Sequence, residues 1–474
     1  MKKTRSMLRI YGALIVLATT LILSCKKDDP KPNQYQEVNN WIDDNMRYLY
    51  YWTDKIPSKT DKNLDPEKYF ESLLYKTEDR FSWIQESASD LQNSLNGVTK
   101  SVGFELKLYT TGVGSNIIGH IMYVLPSSPA AKAGLKRGDI ISKVNGTQLN
   151  TSNYYDLLFG LESFSVTTST LSNGLFVDKE TKSLVALEIE EDPVFLDSVY
   201  TFNNKKVGYF VYNQFVADPG NDTKKYDKKM DEVFGRFKSK GVTDLVLDLR
   251  FNTGGLVTSS TLLASLIVKD LDASKVFYKK QYNAQVTKEI LNDPSLGADF
   301  LLGKFIAKAN NIGNSINKLY VLTGNHTASA SELLINGLKP YMTVVLIGAK
   351  TYGKNVGSIT VTDETGKIKW GMQPIVTKSF NSLGKSDYST GFVPDIEDLD
   401  NRLDLKPLGD INEVLLNKAL VQITGNVVTS AKATESARTL SAFNLKEIAF
   451  SIDRKPMAFK SLHDDYPKLK RLMR

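Results

Sequence analysis

The chain has 474 residues, of which 41% are hydrophobic and 24% charged. Those are the proportions of a soluble globular protein, and the length allows about three domains of roughly 150 residues. More than half of the formal charge of +7 comes from residues 1–24, which hold Lys2, Lys3, Arg5 and Arg9 and no acid; the remaining 56 basic and 53 acidic residues leave +3 and no nucleic-acid footprint. A single cysteine, Cys25, rules out an intrachain disulfide, a cysteine metal cage and Cys-x-x-Cys redox chemistry, and histidine occurs only at His120, His326 and His463.

Residues 1–9 are basic, and Tyr11–Leu23 is a largely apolar run of 13 residues. That is too short for a bilayer span, which needs about 20, but it suits a signal-peptide core. The run ends Ile22, Leu23, Ser24, Cys25, which resembles a bacterial lipoprotein cleavage site. Cleavage there would remove residues 1–24 and leave Cys25 as a lipidated N-terminus. The protein would then be held on the cell envelope, at the outer membrane, on its periplasmic face or at the cell surface. The alternative is an ordinary secretory signal with an incidental cysteine. Lys26, Lys27, Asp28 and Asp29 resemble the surface-export signals of Bacteroidetes lipoproteins, or form a solvated tether within a linker over 25–34.

Residues 35–96 read as a small helical domain. Trp41, Met46, Leu49, Tyr50 and Trp52 form an aromatic-rich face, and Pro66 opens a second helix through Tyr69, Phe70, Leu73 and Leu74. From Gly97 to Asp192 the pattern turns to short strands, Val102–Tyr109 and Ile117–Leu125 among them. The block Pro129-Ala-Ala, Gly134, Gly138-Asp-Ile-Ile and Asn145-Gly146 then resembles the PDZ domain family. Pro129 starts a short helix, the glycines allow tight turns, and Asn145-Gly146 is a hairpin signal. Domains of that family bind peptides by strand addition. The resemblance places the carboxylate-capturing loop at Val102, Gly103, Phe104 and Glu105, and the groove helix at about 154–161. The span 166–191 is longer than the usual closing hairpin.

From Lys206 strands and helices alternate, which implies crossovers and a largely parallel sheet. The strands are Val207–Gln214, Asp244–Leu249, Leu319–Thr323 and Val344–Ile347; the helices are Thr223–Lys240, Leu256–Val268 and Ser331–Leu338. Tyr226, Met230, Val233, Phe234 and Phe237 recur at helical spacing. Residues 270–317 read as a polar insertion with one strand, Val276–Tyr282. Thr365-Gly366 turns a hairpin between Ser358–Val361 and Lys367–Trp370. The tail, 426–474, carries no motif and reads as a solvated helical appendage.

Three blocks carry chemistry, each following a strand, where ligands gather in open α/β sheets. They are Asp248-Leu-Arg-Phe-Asn-Thr-Gly-Gly255, Thr327-Ala-Ser-Ala-Ser-Glu332 and Thr351-Tyr-Gly-Lys354. Their order and spacing, with Gly391-Phe-Val-Pro-Asp395 beyond, resemble the C-terminal processing peptidases, also called tail-specific proteases. The resemblance covers about residues 97–425. It implies an α/β fold: a crotonase-like serine protease core (193–425), an inserted or preceding mainly-β PDZ domain (97–192) and the N-terminal helical domain. It also implies a Ser–Lys dyad, a protein or peptide substrate bound through its C-terminus, and no metal or other cofactor.

On that resemblance Ser329 is the nucleophile and Lys354 its base. A lysine serves only when neutral, which requires its pKa of about 10.4 to fall by roughly 3 units, ~4 kcal/mol, through burial. The oxyanion-hole donors would be the backbone N–H of Ala330 and that of Gly254 or Gly255. Arg250 reads as a structural tie, and His326 as pointing away from the serine. Many family members carry Gln four residues after the lysine and some carry Asp 11 residues after the serine; here Ser358 and Pro340 stand there. Ser358 or Asn355 would then orient the lysine. The rival readings are a catalytically weak or inactive peptide-binding lipoprotein and an acyl hydrolase or small-ligand binder on the same core.

Overall fold

The computed structural model describes residues 34–425 and 443–455, together with the backbone of 462–463. The signal peptide, Cys25 and the linker up to Asn33 lie outside the described residues, as does most of the tail.

The centre is a six-stranded sheet ordered Val194–Phe202, Lys205–Tyr212, Asp244–Asp248, Lys318–Thr323, Thr343–Gly348 and Ile396–Glu397. The first pair is antiparallel and the rest are parallel. Alternation divides the strand residues between two cores. Phe210, Tyr212, Leu245, Leu247, Leu319 and Val321 face the helices Lys225–Lys240, Val257–Ile267 and Ala330–Leu338. Val207, Tyr209, Val211, Val246, Tyr320 and Leu322 face the helix Val414–Thr424 on the other side. The two central strands are covered on both faces, so they read as continuous apolar runs.

The second body is a seven-stranded antiparallel sheet built on Phe104–Thr110, Ile117–Val124, Ile140–Val144, Ser163–Ser172 and Leu175–Val185. The span 166–191 resolves into that long closing hairpin plus Leu187–Glu190, which pairs with Val98–Ser101. This body is an insertion in the chain, because the N-terminal helices pack on the core beyond it. Ile42, Met46, Tyr69 and Phe70 share one apolar cluster with Val356, Val361, Met372 and Ile375, and Trp83–Gln85 pairs with Gly371–Gln373.

Several expectations are corrected. The insertion holds a helix, Ala284–Asn292, as well as the strand Val276–Gln281; Val286 and Ile290 bury themselves under the N-terminal helices. The hairpin after Val361 returns at Gly371, not at Lys367–Trp370. Its loop is wider because the Asp363 carboxylate accepts from the N–H of Thr365, Lys367 and Ile368, which holds that stretch out of the ladder. The strand Val194–Phe202, unread in the sequence, forms the antiparallel edge. In the tail, Lys446–Phe450 is a strand and Ser451–Arg454 a 3-10 turn, not a solvated helix.

Candidate active site

Three parallel neighbours, Asp244–Asp248, Lys318–Thr323 and Thr343–Gly348, end at one edge of the central sheet. The chemical blocks are the turns that leave them, so strands far apart in sequence deliver three loops to one place. Those loops are stitched backbone to backbone. Ala328 N–H donates to Asn252 O (3.1 Å) and Tyr352 N–H to Thr327 O (3.0 Å). Thr327 Oγ1 donates to Leu249 O (2.8 Å) and Ser331 Oγ to Asn252 O (3.2 Å). Asn252 in turn donates from its amide to Tyr212 O (2.8 Å).

Ser329 stands at the N-cap of the helix Ala330–Leu338 with φ 61° and ψ −111°. A non-glycine residue there stores about 1–3 kcal/mol of strain, and such strain clusters at active sites. The sharp strand-to-helix turn leaves Ser329 Oγ buried and without a hydrogen-bond partner among the described residues. The N–H of Ala330 opens the helix, where no intrahelical acceptor exists for the first turn.

Lys354 is fully buried, its Nζ 5.1 Å from the centre of the Phe81 ring. Phe81 is placed there by Asp79, whose carboxylate accepts from Phe81 N–H (2.9 Å), Ser82 N–H (2.9 Å) and the Tyr50 hydroxyl (2.7 Å). The N-terminal region thus roofs the lysine. Arg80 reaches over the same roof to Gly353 O (3.2 Å).

Glu332 joins the two halves. One carboxylate oxygen accepts from Ser329 N–H (2.9 Å) and Lys354 N–H (2.7 Å); the other accepts from Gly353 N–H (2.8 Å) and the Thr351 hydroxyl (2.6 Å). The backbone nitrogens of the serine and of the lysine therefore share a single acceptor atom. Burial pushes the Glu332 carboxyl above the usual range, against the pull of these four donors. Within the block Thr327–Glu332 the sequence assigns Glu332 no role of its own. The available signal was its position three residues after Ser329, the spacing of a capping box.

The other candidates separate. Gly254 N–H is committed to Asn252 Oδ1 (2.9 Å), leaving Gly255 as the better of the two donors. The Asn355 amide donates to Ser386, at its carbonyl (2.9 Å) and its hydroxyl (3.0 Å). Ser358 donates to Gln373 Oε1 (2.8 Å). A glutamine from a neighbouring strand therefore meets the position where many relatives carry one of their own. His326 engages Asn325 through Nδ1 (2.7 Å) and Asp453 through Nε2 (2.8 Å). Arg250 is buried among Asp248, Asp400 and Glu413, which hold its guanidinium charged against the cost of burial. Arg137 of the inserted body joins Asp400 and Glu413 and ties the two bodies together. In the inserted body, Val102, Phe104 and Glu105 are buried, and Gly103 takes φ 86° with no room for a Cβ beside Ser128.

Residues 206–398 match the profile of peptidase family S41, 37–83 that of the peptidase S41 N-terminal domain, and 120–168 that of the PDZ domain. A solved Bacteroides fragilis structure described as an S41 protease is 30% identical, with a TM-score of 0.70 over 82% of this chain and 98% of its own. The chain belongs to peptidase family S41. Among curated relatives of this S41 chain, the carboxyl-terminal-processing protease of Synechocystis sp. is 26% identical over 368 residues, 73% of this chain and 76% of that one. The carboxy-terminal-processing protease of Bartonella bacilliformis is 25% identical over 313 residues, 66% of this chain and 64% of the relative. The α/β core, the PDZ domain and the helical N-terminal domain are those the family resemblance implied, and of its two placements for the PDZ domain, inserted or preceding, the chain shows the insertion.

Proposed function

We propose that this chain is a serine endopeptidase in which Ser329 and Lys354 form the catalytic dyad. The observation that carries the reading is the Glu332 carboxylate, which fastens the backbones of both residues to one oxygen atom at a buried site. Neutral Lys354 takes the hydroxyl proton as Ser329 Oγ attacks the peptide carbonyl, then returns it to the leaving amine. Water hydrolyses the acyl-enzyme by the reverse path. The N–H groups of Ala330 and Gly255 receive the oxyanion; the positive end of the Ala330–Leu338 helix adds to their field. Complete burial is the setting that favours a neutral lysine. Ser358, four residues on, is buried and bonded to Gln373.

The PDZ groove, with the loop Val102–Glu105 at its end, receives the C-terminal segment of a protein or peptide substrate by strand addition. Cys25 carries the lipid that anchors the enzyme at the outer membrane. Incorporation of a palmitate analogue that is lost in Cys25→Ala is the measurement for the anchor.

The test of the chemistry uses residues 26–474 with an unfolded protein bearing an apolar C-terminus, alongside Ser329→Ala and Lys354→Ala. Cleavage by the wild type alone, rising with pH across about 7–9.5 as a lysine base requires, is the expected result. A wild type as inert as both variants, and unreactive towards a fluorophosphonate, would make the protein a peptide-binding lipoprotein instead.

A further inference from the structure

The PDZ sheet has an occupant that belongs to the chain itself. A PDZ domain accepts a peptide as an antiparallel strand in the groove between one sheet edge and a helix. Here that edge is Phe104–Thr110 and that helix Tyr154–Phe159. The edge is already paired: Lys446 faces Thr110, Glu447 faces Tyr109, Ala449 faces Leu108 and Phe450 faces Lys107, all antiparallel.

The pairing runs towards the loop 102–105, as a ligand strand would. Leu106 N–H donates to Ser451 Oγ (2.9 Å), and Ser451 bonds the Glu105 carboxylate. Lys455 Nζ lies 3.0 Å from Glu105 and 2.7 Å from Glu191. On the opposite wall, the Arg454 guanidinium sits 4.0 Å from the ring centre of Tyr155 and 3.9 Å from that of Phe159. Ala449 packs into the PDZ core cluster.

The same segment reaches the peptidase core. Phe450 is buried against Phe251 and His326, and Asp453 holds the His326 ring. Further along, the backbone of Leu462–His463 forms a strand between the Gly255–Leu256 turn and Ser358. The first belongs to the turn that leaves Asp244–Asp248, and the second to the strand Val356–Ser358 that follows Lys354. Without it, the Gly255–Leu256 and Val356–Ser358 edges would face each other unpaired, a slot of the kind an extended backbone fills.

We infer that the C-terminal segment is a built-in competitor: it docks in the PDZ groove through 446–455 and in the strand slot beside the dyad through 462–463, and substrate must displace it. The docking stands on the contacts above, while its effect on catalysis rests on the peptidase reading. A groove filled by its own tail in 90–99% of molecules weakens substrate binding by roughly ten- to a hundredfold. Charge makes the seat selective. Lys455 and Arg454 meet two carboxylates and two ring faces, so the best external competitor is an extended basic segment.

The test keeps the full chain, residues 26–474, and loosens the seat with Lys455→Glu and, separately, Phe450→Ser. A labelled peptide of residues 443–463 is titrated by fluorescence anisotropy, and substrate cleavage and fluorophosphonate labelling of Ser329 are followed in parallel. The expected result is that both variants bind the peptide at least tenfold more tightly than the wild type does. Their KM should fall by roughly tenfold, and added peptide should inhibit them competitively. Damage to a merely structural strand would lower activity in step with stability, so a gain is diagnostic. Peptide that binds neither variant better than the wild type, with KM unchanged or raised, overturns the inference. Tighter peptide binding by the variants, with Ser329 unlabelled in every protein, keeps the docking and removes the peptidase reading.

Discussion

Glu332→Gln is the sharpest perturbation of the site, because it keeps shape and removes one acceptor atom. The carboxylate receives four donors, two on each oxygen. An amide in its place turns one oxygen into an NH2 that faces two donors. If the NH2 faces Thr351 and Gly353, the threonine hydroxyl rotates and one backbone N–H is orphaned. If it faces Ser329 and Lys354, both backbone N–H groups are orphaned. Hydrogen bonds to a charged acceptor contribute about 1.5–3 kcal/mol each. One or two are lost outright, and the survivors weaken when the charge goes. Against that, the neutral amide avoids the burial cost that raises the Glu332 pKa. The net expectation is a stability loss of about 2–4 kcal/mol. The serine and lysine loops also lose their common acceptor, and a displacement near 1 Å costs about a hundredfold in rate. Urea unfolding and steady-state cleavage of one peptide substrate measure the two effects. The rate loss should fall on kcat with KM nearly constant, and Glu332→Asp should recover neither, since its shorter arm cannot reach both loops. A Glu332→Gln enzyme with kcat within threefold of the wild type would refute the claim that this carboxylate sets the geometry of the pair.

Three further outcomes are expected. Gly391→Ala places a Cβ 1.9 Å from Thr351 O at φ 87°; it should push the Thr351–Lys354 loop aside, with a loss above about 3 kcal/mol in urea unfolding and a matching fall in activity. Arg250→Met removes the cation from Asp248, Asp400 and Glu413 and should cost about 3–5 kcal/mol, with Glu413→Gln in the same chain returning part of it; a loss under about 1 kcal/mol would show that Arg137 suffices for Asp400 and Glu413 and the Tyr209 hydroxyl for Asp248. His120 is held neutral by burial foremost and by the Arg137 charge, its pKa pushed down to about 3. The unfolded chain takes that proton near pH 6.5, so the native state loses stability as pH falls from there towards 3. The Tm gap between His120→Phe and the wild type should widen in favour of the variant over that window, and a constant gap would refute the assignment.

Much of the fold was legible because its signals are local. The strands Asp244–Asp248 and Lys318–Thr323 are apolar on both faces, and the Lys225–Lys240 helix repeats its apolar residues at helical spacing. Ser329 and Lys354 were singled out through the family resemblance, while the paired glycines are legible because the turns that follow parallel strands need particular residues. Glycine is required at Gly254 and Gly255, where φ is 112° and 136°. The edge strand Val194–Phe202 and the helix Ala284–Asn292 were missed because their burial is partial or one-sided, and only a distant partner makes it visible.

What tertiary structure alone decided is which of the marked residues meet. The sequence put Glu332 beside Ser329, but nothing local says that its carboxylate also reaches the Lys354 N–H, 22 residues on. Nor does a local pattern send Asn355 to Ser386, bring Gln373 to Ser358, or close Phe81 of the N-terminal region over the lysine. The tail is the extreme case. Lys446–Phe450 has no strong strand pattern of its own and becomes a strand because Phe104–Thr110 offers an open edge. Local chemistry restricts each residue's own backbone and burial, whereas pairings across hundreds of positions depend on the free energy of the whole assembled surface.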